Sequence, residues 1–165
     1  MKYFISGHRD LTIHEFRQHY AQKISNAVMS DPKTVFVVGD YHGADEMAQE
    51  YLHNLKTNYP DIDVTVFHMG ERPMHNLYKF PTSADYADDH HRDSAMTINS
   101  DEDIGWAREG KDNSGTAQNI LRRKVKNVLV TLPKDDAHNF LQGMLNTMLC
   151  HPENDCDEPP TICYT

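Results

Sequence analysis

Thr34-Val35-Phe36-Val37-Val38 is an apolar, β-branched run in which no polar residue alternates after Thr34. A strand with one wet face alternates, whereas a strand covered on both faces does not, so this run reads as a parallel strand inside an α/β fold. Lys2 to Ser6 reads as a first buried strand and Asp63 to His68, with Val64, Val66 and Phe67 apolar, as a third. Helical spacing separates them. Ile13 to Met29 carries Phe16, Tyr20, Ile24, Ala27 and Val28 on one stripe, with Thr12 as its N-cap. A second helix is predicted from about Ala44 to Thr57, burying Met47, Ala48, Tyr51, Leu52 and Leu55. Strands alternating with helices at this spacing imply a mainly parallel sheet with helices on both faces, a three-layer sandwich.

The second half is read the same way. Met69 to Pro81 has no regular pattern, and a helix beginning at Ser83 or Asp85 is predicted to run to about Asn99. Its charges, Asp88 to Asp93, look like a solvated face. Asp103 to Arg108 reads as a strand, the residues up to Lys124 as a helix, Asn127 to Leu132 as a further strand, and Asp136 to Cys150 as a last helix. That makes a sheet of about five strands, a common size. Residues 1–150 are expected to form one domain, followed by an acidic tail, 151–165, expected to be dispensable for the core.

Composition limits the partners. The 165 residues carry a net charge of -9, which excludes general nucleic-acid binding and attraction to anionic membranes. A local basic patch is still able to hold one phosphorylated small molecule. No apolar run approaches the ~18 residues of a membrane span, and the opening residues read as a strand rather than a leader, so the expected compartment is the cytoplasm. Cys150, Cys156 and Cys163 cluster near the end with His151, but their spacing is no zinc knuckle; neither metal nor cofactor is expected. The eleven histidines mostly sit singly on predicted helices. The oligomeric state is left open, a homo-oligomer included.

Three turns fall at carboxyl ends of predicted strands: Gly7-His8-Arg9-Asp10, Gly39 to Asp45, and Lys111 to Thr116. Ligands of open parallel sheets bind at that edge, at the switch in strand order. In the third turn, Ser114-Gly115-Thr116 opens a helix whose first N–H groups lack intrahelical partners and suit a phosphate. The plainer alternative is an ordinary helix start capped by Ser114 or Asn113, with nothing bound.

Four motifs in order carry a resemblance over about residues 1–131. They are Ser6-Gly7-His8-Arg9-Asp10, Gly39-Asp40-Tyr41-His42-Gly43-Ala44-Asp45, Arg92 with Met96 four residues on, and Ser114-Gly115-Thr116-Ala117. Together they resemble the SLOG superfamily, and within it the YspA/YpsA-related Rossmann-like proteins. The resemblance implies a Rossmann-like fold that binds nucleotides or their derivatives, ADP-ribose-like ligands among them. Two departures stand out. Asp40 and His42 replace a Gly and an Arg of the family's second motif, and Asn113-Ser114 stands where a Gly-Gly is usual. An Asp there would repel a phosphate unless it faced a ribose hydroxyl or a cation.

The last motif is also similar to that of nucleoside 2-deoxyribosyltransferases, S-G-T-A-x-E, and of LOG-type phosphoribohydrolases, G-T-x-x-E with an Arg on the preceding helix. Arg92 fits that Arg, but Asn119 occupies the Glu position, and an amide neither attacks an anomeric carbon nor accepts a proton. Cleavage of an N-glycosidic bond needs a carboxylate near that carbon. Glu109, at a strand end beside Arg108 and Lys111, and Asp45 are the candidate catalytic acids, each with a plain alternative as a loop acid or a helix N-terminal charge. The candidate ligand-binding residues are Gly7, His8, Arg9, Gly39, Asp40, Gly43, Arg92, Ser114, Gly115, Thr116 and Asn119. Three functions stay open: an enzyme acting on the N-glycosidic bond of a nucleotide-like ligand, a non-catalytic sensor or sequestering protein for it, and a protein-interaction module with a vestigial pocket and the acidic tail as its partner surface.

Overall fold

β-branched and aromatic residues build a sheet in which every pairing is parallel. The computed structural model describes residues 1–149; the tail, 151–165, and Cys150 lie outside the described residues. The strands are β1 (Lys2–Ser6), β2 (Val35–Val38), β3 (Asp63–Phe67), β4 (Thr82–Ser83) and β5 (Glu102–Gly105). Their order is β4-β3-β2-β1-β5. Register follows Tyr3 to Phe36 on one side of β1 and Tyr3 to Glu102 on the other. The chain thus walks outward from β1 to β4 and then returns to the far side of β1. The switch point lies between the carboxyl ends of β1 and β5, where a parallel sheet opens a crevice.

Helices cover both faces. Thr12 caps α1 (Ile13–Phe16) in a full capping box with Glu15, and a π-helical turn (Arg17–Ala21) leads into α2 (Gln22–Ser30). Phe16, Tyr20, Ile24 and Val28 from this segment and Ala48 and Leu52 from α3 (Ala44–Leu55) pack with Ile5, Phe36, Val38, Val64, Val66 and Ile104. On the other face, Phe4, Val37 and Phe67 pack with Met96 of α4 (Asp89–Ile98). The expected α/β Rossmann-like architecture is thereby established.

The structure corrects two element assignments. Helix α4 starts at Asp89 with Asp88 as N-cap, not at Ser83 or Asp85, because Thr82 and Ser83 pair with Val66 and Phe67 as an edge strand. Residues 127–132 are not a strand. They continue α5 (Gly115–Thr131), which meets no Gly or Pro until Pro133. Once nucleated, a helix gains one hydrogen bond per residue added, and that outweighs the weak strand preference of the Val128-Leu129-Val130 run. Val130 is 78% exposed there. By contacts the chain divides into one unit at Met1–Lys126 and a second from Asn127 onward; the second holds the end of α5 and α6 (Lys134–Leu149). No described helix is long and apolar enough to cross a membrane.

Candidate functional site

A cleft of about 340 Å³ opens at the switch point. Its walls come from the end of β1 (Ser6, Gly7, His8, Arg9), the turn after β2 (Tyr41, Asp45), the inward face of α4 (Asp89, Arg92, Asp93) and the start of α5 (Gly115, Thr116, Asn119). Eight of the residues expected at a ligand site therefore meet around one space. Ser6, Tyr41, Asp89 and Asp93 join them. The reading of Asp88 to Asp93 as a solvated face fails at Arg92, which is only 5% exposed. The helical offset of Arg92 to Met96, itself buried, was the signal for that inward face.

The turn glycines make close approaches possible. A Cβ on Gly7 would stand 2.3 Å from the Ala44 Cβ, and one on Gly39 would stand 2.3 Å from Asp45 Oδ2. Gly43, at φ +78°, lies against the carbonyls of His8 and Arg9. Gly39 and Gly43 thus seat the second turn rather than line the cleft. Gly115 differs, since a Cβ there would meet nothing within 4 Å. Ser114 Oγ accepts the Ala117 amide at 3.2 Å as the helix cap and lines a neighbouring surface depression. The Gly115 and Thr116 amides have no hydrogen-bond partner among the described residues.

Arg92 is surrounded by carboxylates. Its Nε and Nη2 donate to Asp93 Oδ1 at 3.1 and 2.8 Å, and Nη1 lies 3.2 Å from Asp89 Oδ1 and 3.6 Å from Asp40 Oδ1. Burial works against its charge, but Asp93, Asp45 and Asp89 outweigh that and hold its pKa above the ordinary value. Even so, Arg92 Nη1 and Ser6 Oγ are both buried without a hydrogen-bonding partner. Asp89 Oδ1, which faces Nη1, likewise makes no hydrogen bond; unsatisfied buried polar atoms are costly, and three of them lining one cleft are a specific reason to expect a ligand. Arg9 pairs with Asp89 at 3.0 Å and lies 3.6 Å over the Tyr41 ring.

The acids take distinct roles. Asp45 accepts the Tyr41 amide, and burial, the largest effect, pushes its pKa up to about 7 against the pull of Arg92. Asp40 is buried behind the cleft, where it faces Arg92 and accepts the Met74 amide at 2.9 Å. The Asp of the second motif thus does face a cation. Asn119 donates to Asp93 Oδ2 at 3.0 Å and accepts from Arg122. A Glu at this position would set a second carboxylate against Asp93, which is the physical reason for an amide. Glu109 is exposed and lies outside the cleft lining.

His8 and Arg108 are structural ties. His8 Nε2 accepts the Arg108 amide at 3.0 Å, and burial followed by the Arg108 charge lowers its pKa, so the imidazole is neutral with its proton on Nδ1. The Arg108 guanidinium grips Glu15 and Asp10, which holds the Glu15 carboxyl down at about 2. Trp106 stacks on His19 at 3.9 Å, a packing role.

Fold and cleft together define an α/β protein with a polar, ligand-sized crevice at its switch point. No family model, curated protein or solved structure matches the chain.

Proposed function

We propose that the cleft binds a nucleotide or nucleotide derivative, a nucleoside monophosphate or an ADP-ribose-like molecule. The observation that carries the reading is a set of donors without hydrogen-bond partners around one cleft: the Gly115 and Thr116 amides at the start of α5, Ser6 Oγ, and Arg92 Nη1, which is ion-paired but not hydrogen-bonded. Amides at a helix N-terminus suit a phosphate. The carboxylates of Asp45 and Asp93 suit the hydroxyls of a ribose, which they accept without the repulsion they would exert on a phosphate. In this reading the protein works in the cytoplasm on a small molecule.

The experiment is calorimetry with nucleoside monophosphates, the matching nucleosides, NAD and ADP-ribose. The nucleoside, which lacks the phosphate and hence the charged contact, should bind about ten- to a hundredfold more weakly than its monophosphate. Equal affinity for both forms contradicts a phosphate subsite, and no binding by any of them contradicts the reading.

A second reading adds hydrolysis of the N-glycosidic bond. It is favoured by Asp45, a carboxyl in the cleft whose pKa of about 7 suits proton transfer at neutral pH. Incubation of the same ligands followed by chromatography decides it. Released base that disappears in Asp45→Asn supports an enzyme, whereas intact ligand with measurable affinity leaves a sensor or sequestering protein.

A further inference from the structure

Outside the cleft, three side chains with metal-ligating atoms converge on the far side of the second turn. His42 lies in that turn, Glu46 one helical turn later in α3, and His75 in the long connection between β3 and β4. His42 Nε2 and His75 Nε2 are 3.1 Å apart. Glu46 Oε2 lies 3.2 Å from His42 Nδ1, and its Oε1 lies 3.9 Å from His75 Nδ1. One ligand atom from each residue falls within 4.8 Å of the other two. Donors around a tetrahedral zinc ion stand roughly 3.3 Å from each other, given metal–nitrogen distances of about 2.0–2.1 Å. The separation of the two Nε2 atoms is close to that edge, while Glu46 faces the Nδ1 side of both rings, so a change of side-chain rotamer brings its carboxylate to the same ion.

The backbone holds this arrangement from behind. Gln49 is 2% exposed, and its Nε2 donates both to the His75 carbonyl at 3.1 Å and to the Gly39 carbonyl at 2.9 Å. The preceding amide, Met74 N–H, donates to buried Asp40. Two buried polar side chains thus deliver one histidine of an otherwise irregular segment to another histidine. Ligands fixed by such outer contacts are what a metal site requires.

We propose that His42, Glu46 and His75 bind a divalent transition cation of the zinc class, which clips the connection at residues 69–81 onto the start of α3. Two imidazoles and one carboxylate favour zinc, cobalt or nickel over magnesium or calcium. The His42 side chain is 72% exposed, so the ion keeps a position open to water. This site is independent of any nucleotide in the cleft.

The test uses the full chain with Cys150, Cys156 and Cys163 changed to Ser, which removes thiolate ligands. Titration with Co²⁺ should give visible d–d bands at one equivalent, and Zn²⁺ should displace them. His42→Ala and His75→Ala should each weaken Zn²⁺ by about tenfold or more, with Glu46→Gln weakening it less. His14→Ala, at an exposed position of α1, should have no effect. Melting curves without metal confirm that each variant is folded; because Glu46→Gln keeps side-chain shape, it carries the test if a histidine variant is not. Zn²⁺ should also slow proteolytic cleavage within residues 69–81, and only when the three ligands are intact. Absence of Zn²⁺ binding, or binding indifferent to these substitutions, overturns the site; binding without protection overturns the clip.

Discussion

The Tyr20 hydroxyl serves two strands at once. It donates to the Ser6 carbonyl at 3.0 Å and accepts the Trp106 amide at 3.1 Å, tying the carboxyl ends of β1 and β5 where the cleft opens. Tyr20→Phe should cost about 1–3 kcal/mol of stability in denaturant unfolding, because it strips partners from backbone groups that stay buried. A change within error would mean that water replaces the hydroxyl. Ser6→Ala should behave in the opposite way. Its Oγ has no partner to lose, so stability should hold while affinity for a nucleoside monophosphate falls about tenfold, one charge-assisted or buried hydrogen bond's worth. Unchanged affinity would remove Ser6 from the site. Asp45 makes stability depend on pH. Between its ordinary 3.8 and the folded value of about 7, the folded chain keeps a proton that the unfolded chain has lost. Stability from this group therefore falls as pH rises through that window and stays low above it. Asp45→Asn should exceed wild type at about pH 8 by roughly 1–4 kcal/mol, a gain that vanishes by about pH 4. Parallel pH profiles for the two proteins would refute the assignment.

Helix α5 anchors β5 and the end of α4 through two cations, Arg123 and Lys126. Arg123, 6% exposed, donates to Asp103 Oδ1 through Nε and Nη2 at 2.9 and 2.7 Å and to the Ser100 carbonyl through Nη1 at 2.7 Å. Lys126 reaches the carbonyls of Thr97, Ile98 and Ser100 at the end of α4. Arg123→Ala should cost about 3–5 kcal/mol, since the Asp103 carboxylate stays buried without its partner. Pairing it with Asp103→Leu should recover much of that loss; failure to recover would show that packing, not charge, holds the joint. These contacts were illegible in the sequence, where nothing marks a partner for Arg123 and residues 127–132 read as a strand. Local pattern carries the elements that bury apolar stripes, such as β2 or the Thr12-capped helix. It does not say whether an apolar run has a sheet edge to join. Short β4 was missed for the same reason: two residues carry no periodicity.

Across the molecule, topology does what the motifs alone could not. Residues from the β1, β2 and α5 turns meet because the strand order reverses between β1 and β5. That edge was legible from strand–helix alternation. What α4 contributes was only half legible: Arg92 stood out, whereas Asp89 and Asp93 passed for solvent-facing acids until the helix face was fixed. Nor did any local spacing link His75 to His42 and Glu46, which meet only through the fold. The net charge of -9 remains the background against which an anion must bind, so the donors at the start of α5 have to act at short range. The most direct measurement is an amide NMR titration of the ¹⁵N-labelled chain with a nucleoside monophosphate and, separately, with its nucleoside. The Gly115 and Thr116 amides should move strongly with the monophosphate and weakly with the nucleoside. Binding that leaves these two amides unmoved, or no binding of either ligand, would contradict the proposed phosphate site.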